Sequence, residues 1–280
     1  MKEVLPMKTI DIWNGNAPYG GGSVQMHCYE PEVKKGDGAV IIFSGGGYSH
    51  RAYHEAEPYA LELNRMGLLA FVVDYRVAPA QYPAPLLDAH KAVSYVRYNS
   101  DSYGIDPEKI AVMGSSAGGH LAALCATNKW HIPDMPDLPD EERLPWDYYF
   151  PNAQILCYPV TDIESHKGSF ENLMGDYRHS IFPEHTHMSL TPTYEVEEDT
   201  AIPTFIWHTS CDDVVDVKGT YRYATRLSEL GASVEMHIYP VGCHGLGLAT
   251  GDPKREPVEY VQRWIEDLER WLKLIGWITE

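Results

Sequence analysis

The sequence predicts an α/β protein: a doubly wound, mostly parallel sheet of about eight strands with helices on both faces. Three observations carry that prediction. Apolar runs such as Ala39–Ser44 and Leu69–Asp74 are bounded by Gly, Pro or Asp and lack polar alternation, as parallel strands buried on both faces should. Segments of helical period separate the later runs, the β–α alternation of a crossover-connected sheet. The run Ile110–Ser115 passes through Gly114-Ser115-Ser116-Ala117-Gly118 straight into an alanine-rich, helix-forming stretch, a sharp strand-to-helix turn.

Taken in order, Val24–Tyr29 alternates as Val24-x-Met26-x-Cys28 and suits an edge strand. Ala39–Ser44 follows as a buried strand, then a helix over about Glu55–Met66, the strand Leu69–Asp74 and a helix over Ala84–Asn99. Ile110–Ser115 leads into the helix Ser116–Asn128. Strands Gln154–Tyr158, Thr204–His208 and Val234–Tyr239 complete the sheet, with helices over Lys218–Leu230 and Pro257–Ile275. Two stretches break the alternation. Residues 129–152 carry Pro133, Pro136, Pro139 and Pro145 among acids and aromatics; residues 161–200 run through His166, Phe170, Tyr177, Phe182 and Tyr194 without clear period. Insertions of this length on the carboxyl side of strands suit lids or substrate walls, with surface decoration as the alternative. No repeat or low-complexity linker divides the chain, so residues 1–280 are expected to form one domain.

The balance of 22 basic against 40 acidic residues, a formal −18, disfavours nucleic acid and anionic membranes, because phosphate binding needs clustered Lys and Arg. The amino-terminal residues Met1-Lys2-Glu3-Val4-Leu5-Pro6 have no apolar signal core, and no stretch approaches 18 apolar residues. Five scattered cysteines without a Cys-x-x-Cys pair read as reduced thiols. The expectation is a cytoplasmic protein.

Gly-x-Ser-x-Gly between strand and helix is the context of a nucleophile elbow: the chain reverses so sharply that Gly114 and Gly118 cannot carry side chains, and Ser116 is left at the top of the sheet. The plainer reading is a helix-capping serine beside small packing residues. A serine hydroxyl needs a base within hydrogen-bond reach, itself oriented by a carboxylate. His244, between Gly242 and Gly245 after the last strand, is the candidate base, and Asp212 after Thr204–His208 the candidate acid. Asp212 is preferred because Asp212-Asp213-Val214-Val215 resembles the common Asp-x-Val-Val pattern; Asp213 and Asp216 are the alternatives. His120 shares a helix with Ser116 at i,i+4, but an elbow serine projects away from its helix, so His120 is expected to be a buried packing residue. Gly46 and Gly47, after the strand Ala39–Ser44, can turn backbone N–H groups toward a developing oxyanion together with that of Ala117. A triple glycine can also cradle phosphate, but no Gly-Lys-Ser/Thr follows it. His185-x-His187 is the nearest approach to a metal pair and lacks a further spaced ligand.

With these residues in place the chain resembles the α/β-hydrolase superfamily, in particular the bacterial carbohydrate-esterase branch of acetyl-xylan and feruloyl esterases related to hormone-sensitive-lipase-type enzymes. The stretches that carry the resemblance include Phe43-Ser44-Gly45-Gly46-Gly47-Tyr48, Val73-Asp74-Tyr75-Arg76-Val77-Ala78-Pro79, Gly114–His120, Gly168-Ser169-Phe170-Glu171-Asn172-Leu173 and His244-Gly245-Leu246-Gly247-Leu248-Ala249. The resemblance implies Ser116 as nucleophile, Asp212 as acid, His244 as base, Gly46, Gly47 and Ala117 as oxyanion donors, and a structural role for Asp74-Tyr75-Arg76. Ser44 stands where relatives often carry His or Pro, which bears on the oxyanion loop. Asp216 stands where Pro often follows Val-Val, which should leave the acid loop less rigid.

The expected activity is hydrolysis of short acyl esters, acetyl first, on xylo-oligosaccharides or other sugars, through an acyl-enzyme and without cofactor or metal. The partner is then a small-molecule or oligosaccharide ester. Tyr48, Trp130, Trp146, Tyr148 and Tyr177 are candidates to stack on sugar faces, Tyr48 beside the glycine loop foremost. The same groups would serve a feruloyl esterase or an arylformamidase. The sequence shows no propeller ahead of this domain, which counts against an oligopeptidase, and nothing like an amphipathic apolar lid in residues 129–152, which counts against a lipase. A catalytically inactive binding module is the non-enzymatic alternative.

Overall fold

Strands form where β-branched and aromatic residues can be covered on both sides. In the computed structural model, which describes residues 7–129, 145–162, 166–175, 189–252 and 255–279, they are β1 (Met7–Asp11), β2 (Gln25–Tyr29), β3 (Ala39–Phe43), β4 (Leu69–Val73), β5 (Ile110–Ser115), β6 (Ala153–Cys157), β7 (Thr204–Thr209) and β8 (Val234–Tyr239). They make one eight-stranded sheet in the order β1-β2-β4-β3-β5-β6-β7-β8. β2 runs antiparallel to β1 and β4; all other neighbours are parallel. This is the predicted architecture with one strand added, and the added strand corrects one expectation: β2, read as an edge strand, lies between β1 and β4. β1 escapes a search for apolar runs because Met7-Lys8-Thr9-Ile10-Asp11 is a short edge strand with exposed Lys8 and Thr9, and edges tolerate such residues.

The helices are α1 (Glu57–Arg65), α2 (Ala84–Tyr98), α3 (Ser100–Tyr103), α4 (Ala117–Thr127), α5 (Lys167–Met174), α6 (Pro192–Glu195), α7 (Val217–Glu229) and α8 (Glu259–Leu274). Two cores sandwich the sheet. On one side Ile41, Phe43, Phe71 and Val112 meet side chains of α2, α4, α5 and α7. On the other Val40, Ile42, Met113 and Trp207 meet α1 and α8. α8 shows why it docks: Val261, Trp264, Leu268, Trp271 and Leu272 recur at three- and four-residue spacing on its buried face, and Trp264 stacks on Trp207 at 5.1 Å. α4 is different, with all eleven residues buried. Its small, apolar sequence suits a helix covered on all sides.

The described parts of the two insertions separate. Trp146–Tyr149 forms a 3₁₀ turn attached to α2, where Arg97 Nη1 donates to the Tyr148 carbonyl at 2.7 Å. Among the described side chains, neither Pro145 nor any of residues 147–152 lines the cleft described below, and the side chain of Trp146 lies outside that set. The second insertion supplies α5, which the sequence pattern does not signal, and α5 does reach the cleft.

Among the described residues no helix is long and apolar enough to cross a membrane. The five cysteines are unpaired, with Cys28, Cys125 and Cys157 buried. His185-x-His187, Trp130 and Tyr177 lie outside the described residues.

Candidate active site

β5 lies between β3 and β6, with Gly114 opposite Phe43 and Ser115 opposite Cys157, so three strands end together on one rim. The turn into α4 is as tight as the pentapeptide demands. A Cβ on Gly114 would stand 2.1 Å from the Gly118 carbonyl oxygen, and one on Gly118 would stand 2.0 Å from that of Phe43. Ser116 itself takes φ 54°, ψ −119°, a conformation costing a non-glycine residue on the order of 1–3 kcal/mol. Its N–H is tied to Cys157 O and its carbonyl accepts from His120 N–H, so the neighbouring strand and helix hold the strain.

Asp212 and His244 meet this serine although they lie 96 and 128 residues beyond it in the chain. Ser116 Oγ lies 2.8 Å from His244 Nε2, and His244 Nδ1 lies 2.7 Å from Asp212 Oδ2. An ionised carboxylate only accepts, so Nδ1 carries a proton and Nε2 is free to accept from the serine hydroxyl. The Asp212 side chain is 1% exposed. Its Oδ1 accepts from the backbone N–H groups of Val214 and Val215, both at 2.9 Å. Its Oδ2 takes a second histidine, His208 Nε2, at 3.1 Å, and His208 Nδ1 in turn lies 2.8 Å from Thr220 Oγ1. Burial alone would raise the Asp212 carboxyl. The hydrogen bonds from His208, His244 and Val215 outweigh it and hold the group well below the usual carboxylate range.

Asp213 is exposed and Asp216 caps α7 by accepting from Lys218 N–H at 3.0 Å, so Asp212 is the carboxylate at the histidine. At the position where proline is absent, Asp216 fastens the backbone of Lys218, and Asp212 that of Val214 and Val215. His120 is buried as expected, its Nδ1 2.7 Å from Tyr48 Oη and its Nε2 2.7 Å from Leu190 O. Burial pushes its pKa down to about 4.

That bond removes Tyr48 from the substrate-contacting set. Tyr48 is 1% exposed, packed edge-on against Tyr75 and His120, and has no free face for a sugar. The expectation drawn from its place beside the glycines is corrected by this hydrogen bond across to α4. Asp74-Tyr75-Arg76 braces its loop as the resemblance implied. Tyr75 Oη donates to Ser44 O, Arg76 clamps buried Asp88, and Asp74 pairs with Arg51.

Gly46 and Gly47 follow β3 with φ of 125° and 62°, and a Cβ on Gly46 would collide with the His50 carbonyl at 2.1 Å. Their N–H groups and that of Ala117, at the first turn of α4, make no hydrogen bond among the described residues, as helix starts and turned loops leave them. Asn172 Nδ2 donates to Gly47 O at 2.9 Å, docking α5 on this loop.

A buried network absent from the sequence reading joins the loops. Glu55 is 2% exposed. It accepts from Gly45 N–H at 2.8 Å and from Tyr158 Oη–H at 2.7 Å, and Tyr158 Oη accepts from Gly247 N–H at 2.9 Å. One carboxylate thus ties the glycine loop to the loop bearing His244. Burial opposes its ionisation, but His54, Tyr158 and Gly45 prevail and lower its pKa. Tyr158 reaches it from φ 37° at the end of β6, with its ring edge-on to His244. In sequence, Glu55 reads only as an acid at a helix start.

Ser116 and His244 open onto a cleft of about 960 Å³ lined also by Gly46, Gly47, His166 and Arg255, the size of a small-molecule site. Among the described residues no group of three or more His, Cys, Asp or Glu side chains is placed to hold a metal ion.

The sheet order, with Ser116, His244 and Asp212 hydrogen-bonded in series at its rim, defines the α/β-hydrolase fold. The chain belongs to the BD-FAE family, whose profile matches residues 26–227. It is 37% identical to the acetyl ester-xyloside bifunctional hydrolase of Caldicellulosiruptor lactoaceticus, whose crystal structure matches with a TM-score of 0.84 over 100% of both chains. The acetylxylan esterase of Xylanibacter ruminicola is 30% identical over 259 residues, 91% of this chain and 49% of that protein. Endo-1,4-beta-xylanase B of Butyrivibrio fibrisolvens is 32% identical over 255 residues, 86% of this chain and 38% of that protein. The chain spans less than half the length of these two curated relatives.

Proposed function

We propose that the chain is a serine carboxylesterase that removes short acyl groups, acetyl foremost, from carbohydrates such as xylo-oligosaccharides. The observation that carries the reading is the continuous relay Asp212–His244–Ser116 at 2.7 and 2.8 Å, beside three backbone N–H groups that make no hydrogen bond among the described residues. In the reaction His244 Nε2 takes the Ser116 proton as Oγ attacks the ester carbonyl. The N–H groups of Gly46, Gly47 and Ala117 receive the negative oxygen, and losing one such donor typically costs roughly 3–4 kcal/mol of transition-state stabilisation. Asp212 stabilises the imidazolium and keeps its orientation. His244 then protonates the departing sugar hydroxyl. Water, deprotonated by the same imidazole, attacks the acyl-serine and releases the acid. The acetyl and xylo-oligosaccharide preference rests on the relatives named above.

The test is hydrolysis of p-nitrophenyl acetate and of acetylated xylo-oligosaccharides by wild type and Ser116→Ala. Wild type should cleave both and the variant neither, with its melting temperature preserved. Activity of Ser116→Ala within tenfold of wild type rejects the serine mechanism. A wild type that cleaves only the p-nitrophenyl ester rejects the carbohydrate reading.

A further inference from the structure

One cleft side chain has no part in that mechanism. His166 precedes α5 and caps it: Nδ1 lies 3.3 Å from the Ser169 backbone nitrogen and 2.7 Å from Ser169 Oγ. A backbone N–H can only donate, so Nδ1 is the acceptor and the neutral ring must carry its proton on Nε2. Nε2 has no partner among the described residues, and the ring lines the cleft together with Ser116 and His244. Burial and nearby His244 both lower the His166 pKa against the opposing pull of Asp212, which favours the neutral form. His166 at the cap and Ser169 and Asn172 on α5 recur at three-residue spacing. Asn172 is bonded to Gly47 O, so the oxyanion loop fixes the position of this face.

A simple acetate ester offers two acceptors. The carbonyl oxygen goes to the backbone N–H groups and the bridging oxygen to His244. A third donor in the cleft finds an acceptor only when the alcohol carries further oxygens. With a plain alkyl or aryl alcohol it is desolvated without return, and sites built around a hydrogen bond reject analogues that lack it.

Resting on the esterase reading, we propose that His166 is a specificity-determining residue whose Nε2–H donates to a hydroxyl or ring oxygen of the sugar beside the ester. The class it selects is the acyl ester of a polyol or sugar, in preference to esters of alcohols without neighbouring oxygens.

Two substitutions divide the ring's two duties. His166→Asn keeps an acceptor near the position of Nδ1, and Asn is a favoured cap, but it has no group reaching to Nε2. His166→Gln retains a distal N–H donor and gives up the cap. The readout is the ratio of kcat/KM on acetylated xylo-oligosaccharides to that on p-nitrophenyl acetate, with melting temperature alongside. His166→Asn should lower the ratio about three- to tenfold, the range of one hydrogen bond, while His166→Gln holds the ratio nearer wild type and melts lower. An unchanged ratio in His166→Asn, with wild type cleaving both substrates, overturns the role of His166 and leaves the esterase reading standing. A wild type inactive on the sugar ester overturns the reading and this inference together.

Discussion

Glu55→Ala is the most informative perturbation of the scaffold behind the cleft. The substitution leaves one buried donor, Gly45 N–H, facing the space vacated by the carboxylate, while the Tyr158 hydroxyl proton can turn to Tyr59 Oη at 3.3 Å. An unsatisfied buried group costs about 1–3 kcal/mol, less whatever is recovered by no longer burying an anion. Unfolding entropy near 60 °C is about 2.1 cal/mol/K per residue, or roughly 0.6 kcal/mol/K for a chain of this length. The melting temperature should therefore fall by about 2–5 °C. Glu55→Gln is the control. Its Oε1 can accept from Gly45 and its amide can donate to the Tyr158 oxygen, whose own proton turns to Tyr59 Oη at 3.3 Å; Gly247 keeps its acceptor. Calorimetry of the three proteins with parallel p-nitrophenyl acetate kinetics should show Glu55→Ala losing both stability and kcat, and Glu55→Gln far less of each. Because ionisation is easier in the folded state, the advantage of wild type over Glu55→Gln is present above the ordinary carboxyl pKa. It is lost as pH falls through the lower folded value. A Glu55→Ala melting temperature within 1 °C of wild type, or Glu55→Gln falling as far as Glu55→Ala, would refute the hydrogen-bond accounting.

Asp212→Asn can still accept from Val214 and Val215, but turns an NH₂ toward His208 and His244. The reversed tautomer puts a proton on the nitrogen that must receive one, and kcat should drop by about 10³–10⁴. Asp213→Asn, at an exposed position, should stay within about twofold, and steady-state kinetics of both variants decide between the two acids. Glu195 is pushed up to about 7 by burial and by nearby Glu197, and its buried Oε2 has no hydrogen-bond partner among the described residues. Its folded form holds a proton that the unfolded form releases, so stability should decline as pH rises from about 4.5 to 7. Glu195→Gln should flatten that arm in a pH series of melting temperatures, and an unaltered slope would show that Glu195 does not produce it.

What the sequence discloses about this molecule depends on how far a residue lies from whatever decides its environment. The elbow is legible because its constraints are local: a strand, two glycines that cannot carry Cβ atoms, and an alanine-rich helix within about twenty residues. Asp212 and His244 are legible although distant, because parallel topology sends the loops after β7 and β8 to the same rim as Ser116. α5 is not, since its cap is a histidine and its apolar face, Phe170, Leu173 and Met174, is too short to mark a period. Tyr48 misleads because proximity to Gly46 and Gly47 in sequence suggests the cleft, whereas its ring and hydroxyl are claimed by Tyr75 and by His120, 72 residues on. Glu55 and Tyr158, 103 residues apart, are each unremarkable alone: an acid before a helix and a tyrosine after a strand. Only the assembled sheet makes the acid a buried anion that needs donors, and only the raised strand end at Tyr158 supplies one. The same logic separates His208 from His244. Both donate to Asp212 Oδ2, but His208 is fully buried and spends its other nitrogen on Thr220, while His244 keeps Nε2 for Ser116. A histidine four residues before the acid is thus a positioning group for the carboxylate, and the one reaching back from the last loop is the group with a nitrogen left over for a proton.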